Sequence, residues 1–500
     1  MHTLESKGLK KGAISRSTAV MIGLAATAPA YSLSGALGYG AAESGYQLPI
    51  IFILSVIPMF FVALSYKHLT TSSPDSGTVF TWGAKALGPR FGWLGGWAMF
   101  LASILAGVTA TQVIVNMMVV LLDLEQMPQW LNFVVAVVFI FSTTYLAVLG
   151  AKESSQATIL LTLFQFSGLA ILASVLFFYI LQNDVISTAE SFSWTWFDPF
   201  SIPSPDIFLN GFLIALFIFW GFDASLAMSE EIKGNSEQAG RSGVIAILIT
   251  VVIYVVLATL ALAYAGIDPK DPLSLTFSSN IDSSVTVLVT DVIGSHGAKW
   301  AALIIAISAF SATMSTIMPA ARIVLAMASY RAIPIQFAKI DPTTCTPKLA
   351  TWTIGSMTLV IYVILSLVSE AIIKDAIHSV SIAVCTYYTI ASLSCANYFY
   401  HTALRHWRTT LSQVIFPILG AITLMVIGTI QAWRMFDPHY GASGSIGGIG
   451  AVFLLGVATL LFGFFVMLLC NLHEATFFRG KTLPKESASL DFSTHHSNKS

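Results

Sequence analysis

Charge is what this 500-residue chain has least of: Asp, Glu, Lys and Arg make up 10% of it, against 56% hydrophobic residues. Ordinary soluble domains carry about 25% charged residues. A chain this poor in charge cannot cover the surface of a water-soluble fold, whereas lipid-facing helices need no such cover. With a net charge of −1 and no cluster of Lys and Arg that would neutralise phosphates, the sequence gives no sign of a nucleic-acid partner. Its four cysteines, Cys345, Cys385, Cys395 and Cys470, form no C-x-x-C pair and no metal-ligand spacing, so they read as reduced packing residues. Clusters of His, Asp, Glu or Cys at helical spacing are missing too. His401 and His406 have no carboxylate neighbour in sequence, so no enzyme, cofactor or metal site is expected.

What the chain does have is long apolar runs. Crossing roughly 30 Å of hydrocarbon takes about 20 apolar residues, and twelve stretches qualify. They are 17–40, 47–66, 91–122, 131–149, 157–181 and 207–229, followed by 242–266, 298–328, 350–368, 376–400, 411–432 and 446–470. The expected fold is therefore an all-α integral membrane bundle of about twelve helices. The first run is too long for the apolar core of a signal peptide, and Ala28-Pro29-Ala30 lies in its middle, so it reads as an uncleaved helix.

Basic residues stay on the cytoplasmic side of a membrane. With the N-terminus inside, 20 of the 24 Lys and Arg residues fall on inner segments, leaving only Lys270, Lys299, Lys374 and Arg434 outside. One missed helix would invert every later loop, so this asymmetry supports both the helix count and cytoplasmic N- and C-termini. The expected organisation is a cytoplasmic segment 1–16, a core of ten helices over 17–400, two further helices over 411–470 and a cytoplasmic tail 471–500, within which 487–500 is polar and expected to be disordered. The glycine-rich run 441–450 follows a membrane helix rather than a strand, so it reads as an outer turn and not a phosphate loop.

Two of the helices carry an interruption. In hydrocarbon an unsatisfied peptide group costs several kcal/mol, so a helix breaks only where protein or a water-filled cavity satisfies the freed groups. The first helix holds Ala28-Pro29-Ala30-Tyr31-Ser32 near its centre. Pro29 donates no hydrogen bond and frees carbonyls near Ala25 and Ala26. The sixth reads Phe219-Trp220-Gly221-Phe222-Asp223, a glycine between aromatics followed by a carboxylate. An ionisable group at that depth faces the bundle interior or water and is a functional candidate. Helices one and six are equivalent if a five-helix unit is repeated. Because five is odd, the second copy enters upside down, and paired breaks of this kind point to a transporter binding site.

These segments resemble the amino acid/polyamine/organocation superfamily of secondary transporters. The resemblance also rests on Pro74-Asp75-Ser76-Gly77 leading to Gly88-Pro89-Arg90-Phe91-Gly92-Trp93, on Ser229-Glu230-Glu231-Ile232-Lys233, and on the stretch from Arg322 to Pro334 followed by Thr346-Pro347. It implies a five-plus-five inverted repeat with two extra helices, broken helices one and six, and a permease of the cell membrane that moves amino acids by alternating access. Substrate contacts are implied at Ala28, Pro29, Ala30, Tyr31 and Ser32, at Phe219 to Asp223, and at Ser103 and Gly107 of the third helix. The usual glycine-rich motif of the first helix is replaced by Ala-Pro-Ala-Tyr-Ser, so Tyr31 and Ser32 hydroxyls are expected to substitute for a missing N–H.

The coupling ion is H+ or Na+. Sodium would use first-helix carbonyls at Ala25 and Ala28 with the hydroxyls of Ser308, Ser311 and Thr313; a proton would use Asp223. A polyamine is the alternative substrate, yet two or more inward-facing carboxylates would favour it and only Asp223 lies at depth. A channel would need a continuous polar lining, which the helices do not show.

Overall fold

The computed structural model describes residues 7–183, 185–234, 236–368, 372–440, 445–486 and 488. Residues 441–444, the start of the glycine-rich run, and nearly all of the polar tail 487–500 lie outside them.

Helix accounts for almost every element, as lipid demands of a chain that must satisfy its own peptide groups. In order the helices are α1 (Arg16–Thr27), α2 (Pro29–Ser44), α3 (Leu48–Ser72), α4 (Val79–Ala86), α5 (Pro89–Leu121), α6 (Gln129–Val148), α7 (Ala151–Leu181) and α8 (Pro205–Phe219). After α8 a tight 3-10 segment, Phe222–Glu231, completes the sixth pass. There follow α9 (Ser236–Ala265), α10 (Ser284–Ile293), α11 (Ser295–Ser329), α12 (Lys348–Val368) and α13 (Ile372–Ala403). Two last passes, α14 (Trp407–Met435) and α15 (Ala451–His473), each contain a π-helical turn. Among the described residues the only sheet is a two-residue hairpin pairing Ser445 with Gly450 and Ile446 with Ile449.

Among the described residues, eleven continuous helical stretches are long and apolar enough to cross a membrane. The first of these, Arg16–Ser72, has 57 residues, well over twice the roughly 20 that one crossing needs. It breaks at Ala28 and turns through Gly45–Gln47, so it makes two passes and the expected twelve are present. Observed helices overrun the expected spans by a few residues, as α7 does by starting at Ala151. Two short helices were not expected, α4 and α10, of 8 and 10 residues, because neither is long enough to register as a crossing.

The core lies around α5, α11 and α13, where most of each apolar span is buried. α5 packs along α11 and α13, and α3 along α9. The third and eighth passes therefore touch, as do the second and seventh, which is what a two-fold between inverted halves would produce. α4 reaches α5 because Gly83 and Gly92 face each other: a Cβ on Gly83 would lie 2.9 Å from the Gly92 Cα. All four cysteines are free, with Cys385 and Cys395 buried.

Candidate site at the paired helix breaks

The first break is one residue wide. α1 ends at Thr27, Ala28 turns to φ 42°, ψ 66°, and α2 restarts with Pro29 in its first turn. Proline suits that position, since its missing N–H would have had no partner there. Ala28 pays for the turn with a left-handed backbone that costs a non-glycine residue about 1 kcal/mol. Polar side chains seal the break. The Thr27 carbonyl accepts the Ser32 hydroxyl at 2.8 Å and the Tyr254 hydroxyl at 2.9 Å. The Tyr31 N–H donates to Ser308 Oγ at 3.1 Å, and that hydroxyl in turn donates to Gln165 Oε1 of α7.

The second break is built differently. Trp220 is extended and Gly221 takes φ 109°, a conformation open to glycine and strained for other residues. A Cβ on Gly221 would fall 2.7 Å from the Ala26 carbonyl carbon and 3.0 Å from the Thr27 nitrogen. Backbone thus touches backbone where the two breaks meet.

A small cavity lies at this junction, with room of about 10 Å³, roughly one water. Ala26, Tyr31 and Ser32 line it from the first pass, Phe217 and Trp220 from the sixth, Ala106 and Ala110 from α5, and Ala312, Thr313 and Thr316 from α11. Of the expected substrate contacts, Tyr31, Ser32 and Trp220 are on its wall. Ala28, Pro29, Ala30, Phe219, Gly221 and Phe222 form the breaks around it. Ser103 bonds back to the Met99 carbonyl at 3.0 Å, and Gly107 faces Thr358 of α12, where a Cβ would come within 2.7 Å. Neither is among the residues that line the cavity.

Asp223 stands just beyond Trp220, 1% exposed. Its Oδ1 accepts the Tyr388 hydroxyl at 2.9 Å and its Oδ2 the Tyr387 hydroxyl at 3.2 Å. The Trp220 indole N–H donates to the same Tyr387 oxygen. Tyr387 and Tyr388 come from α13, 164 and 165 residues away, and sequence periodicity could not have brought them to Asp223. Their one signal was a pair of polar aromatics at the middle of an apolar helix. Among the possible sodium ligands, Thr313 bonds back to the Ala309 carbonyl at 2.9 Å, Ser308 is engaged on both sides, and Ser311 Oγ has no partner.

At the end of the bundle that carries Arg16, the second half of the sixth pass is anchored by charge. Glu231 and Arg322 form a buried pair, with Arg322 Nη2 donating to Glu231 Oε1 at 3.1 Å and Nη1 to the Met318 carbonyl at 2.9 Å. Residues 7–14 lie across this end: the Ile14 N–H donates to the Glu231 carbonyl, and Lys7 Nζ contacts Asp75 at 2.6 Å and Glu230 at 2.7 Å. Burial alone would lower the Lys7 pKa, but the two carboxylates outweigh it and hold the ammonium above its ordinary value. Burial alone would likewise raise Asp75, yet Lys7 and the Gly77 N–H hold it below the usual carboxylate range.

Residues 14–469 match the sequence model of the family described as Amino acid permease. The cationic amino acid transporter 3, mitochondrial, of Arabidopsis thaliana is 27% identical over 365 residues, which are 67% of this chain and 54% of that protein. The branched-chain amino acid permease BcaP of Bacillus subtilis is 25% identical over 350 residues, 64% of this chain and 68% of its own length. The low-affinity putrescine importer PlaP of Escherichia coli is 25% identical over 241 residues, 47% of this chain and 50% of its own. The chain spans about half the length of the plant transporter and of the putrescine importer. All three are named as transporters, permeases or importers and none as an enzyme. The family match runs from before the first break to the last helix, and with both breaks inside it the chain belongs to the amino acid permease family.

Proposed function

We propose that this protein is a secondary active transporter that carries amino acids across the cytoplasmic membrane by alternating access, with both termini in the cytoplasm. The observation that supports it most is the meeting of Gly221 with the backbone of Ala26 and Thr27 over a cavity of only about 10 Å³. A carrier needs a site at the junction of its two halves that can be shut from both sides, whereas a channel needs a continuous path. Substrate binding is assigned to Ala28 through Ser32 and Phe219 through Asp223. The N–H of Ala30, in the first turn of α2, has no carbonyl one turn back to bind and is the natural donor to a carboxylate, beside the Ser32 hydroxyl. The relatives' names favour an amino acid, and a polyamine would need a second deep carboxylate.

A proton is favoured over sodium as the coupling ion, because the Ser308 and Thr313 hydroxyls are already committed to protein partners. Proteoliposomes with imposed gradients test both points. Acid outside should drive accumulation of a labelled amino acid in sodium-free buffer. Strict sodium dependence would overturn the ion assignment, and failure of every amino acid to accumulate or exchange would overturn the transport reading. Orientation is tested by cysteines introduced at Ser236 and Ser191, which should react from the cytoplasm and from outside respectively.

A further inference from the structure

Two segments far apart in sequence, residues 7–14 and 475–486, cross the end of the bundle that carries Arg16, and they meet at one residue. Tyr330 directly follows α11. Its hydroxyl donates to Asp75 Oδ2 at 2.9 Å, and Asp75 Oδ1 accepts Lys7 Nζ at 2.6 Å. Its carbonyl accepts the Thr482 hydroxyl at 2.6 Å. The side chain of one tyrosine thus holds the first segment through Asp75, while its main chain holds the second directly.

Each segment ties together parts that have to separate if the cavity is to open at this end. The first holds the sixth pass: the Ile14 N–H donates to the Glu231 carbonyl, the Lys233 N–H to the Ile14 carbonyl, and Lys7 Nζ reaches Glu230 at 2.7 Å. Glu230 also accepts the Ser76 N–H at 2.7 Å, so Lys7 joins the sixth pass to the turn between α3 and α4. With its side chain 5% exposed, Lys7 is screened far less than a surface charge. The second segment holds α4. Phe477 is fully buried with its ring 5.2 Å from that of Phe80, and Glu486 donates its N–H to the Lys85 carbonyl at 2.9 Å and pairs with Lys85 Nζ at 3.0 Å. Leu9 and Leu483, both buried, give each segment an apolar anchor. Beside Lys7 lies a cleft of about 630 Å³ lined by Asp75 and Glu230, with room for water to reach both carboxylates once the ammonium leaves.

We propose that residues 7–14 and 475–486 form a single clasp, joined at Tyr330, that holds the cytoplasmic end shut and releases before the cavity opens to that side. The clasp rests on the transport reading and adds a control to it. Lifting the C-terminal segment loosens the grip on Lys7 as well, so whatever displaces one terminus frees the other.

Opening is read from Thr316→Cys in a protein whose four native cysteines are replaced, because Thr316 lines the cavity. Proteoliposomes are treated with a membrane-impermeant thiol reagent from each face. Lys7→Met should speed modification from the cytoplasmic face about tenfold and slow it from outside, the shift expected when a hydrogen bond between charged groups is lost. Thr482→Val keeps the shape and removes one neutral hydrogen bond, so it should speed cytoplasmic modification about threefold. The double variant should be no faster than Lys7→Met alone, since contacts of one clasp fail together. Should Lys7→Met fail to fold, Thr482→Val and Tyr330→Phe carry the same test, as each removes one link and deletes no charge. Unchanged cytoplasmic modification in the variants, faster modification from both faces, or a double variant whose effect is the product of the two singles overturns the clasp while transport stands. Absence of modification from either face in every variant overturns the transport reading and the clasp together.

Discussion

The two helix breaks differ in how they are closed. The first has its freed groups taken up by the protein: Ser32 and Tyr254 cap the Thr27 carbonyl, and Ser308 caps the Tyr31 N–H. The second carries an acid, Asp223, that pairs with no basic residue among those described, and it depends on Gly221 to fit against the first. One break is finished by the fold and holds shape; the other is left with a charge and is the one suited to meet a substrate. An unbroken partner makes the same point, since Glu231 at the end of the sixth pass has its arginine and Asp223 at the break has none.

The largest effect should come from removing the contact between the breaks. Gly221→Leu should abolish exchange while the chain still inserts, because even the Cβ meets Ala26 and Thr27 backbone at 2.7 to 3.0 Å and leucine inserts well. Normal exchange in a membrane vesicle assay would reduce Gly221 to a packing residue. Next comes Arg322→Met, which strands Glu231 and should destabilise the fold by about 3–5 kcal/mol. The double variant with Glu231→Leu should recover most of that loss in a thermal unfolding assay, and a double variant no better than the single would deny that the pair acts as a unit. Ser308→Ala leaves the buried Tyr31 N–H without its acceptor and should cost about 1–3 kcal/mol. Exchange should be independent of sodium in both the unaltered protein and the variant, and a sodium response present in the unaltered protein but lost in the variant would show that the hydroxyl holds an ion. Ala28→Gly is the gentlest change: it relieves the left-handed strain but loses a buried methyl, so stability should move by less than about 1 kcal/mol with exchange retained. A large loss there would mean that the Ala28 methyl, not the backbone turn, shapes the first break.

Much of this arrangement was legible from the residues. Pro29 within an apolar run and Gly221 between aromatics each announced a break, since lipid tolerates no idle interruption. What escaped were features whose cause lies across the bundle. Ser103 and Gly107 were expected at the site, yet each residue turns a helix by about 100°, and the cavity stripe of α5 falls on Ala106 and Ala110. The tyrosines around Asp223, the Glu231–Arg322 pair and the placement of Lys7 on Asp75 and Glu230 join residues 68 to 223 positions apart, and no local pattern encodes such contacts. Proline was expected inside the interruption; it instead begins the restarted helix, because its fixed φ suits a first turn and Ala28 takes the turn in its place.

A carrier working by alternating access must open the small cavity between the breaks to each side of the membrane in turn. Thr316 lines that cavity and is 6% exposed, so Thr316→Cys in a protein whose four native cysteines are replaced reports on it directly. A membrane-impermeant thiol reagent should modify this cysteine when applied from either face, and a transported amino acid should slow the reaction from both. Modification from one face alone, or at a rate that substrate does not change, would contradict the account.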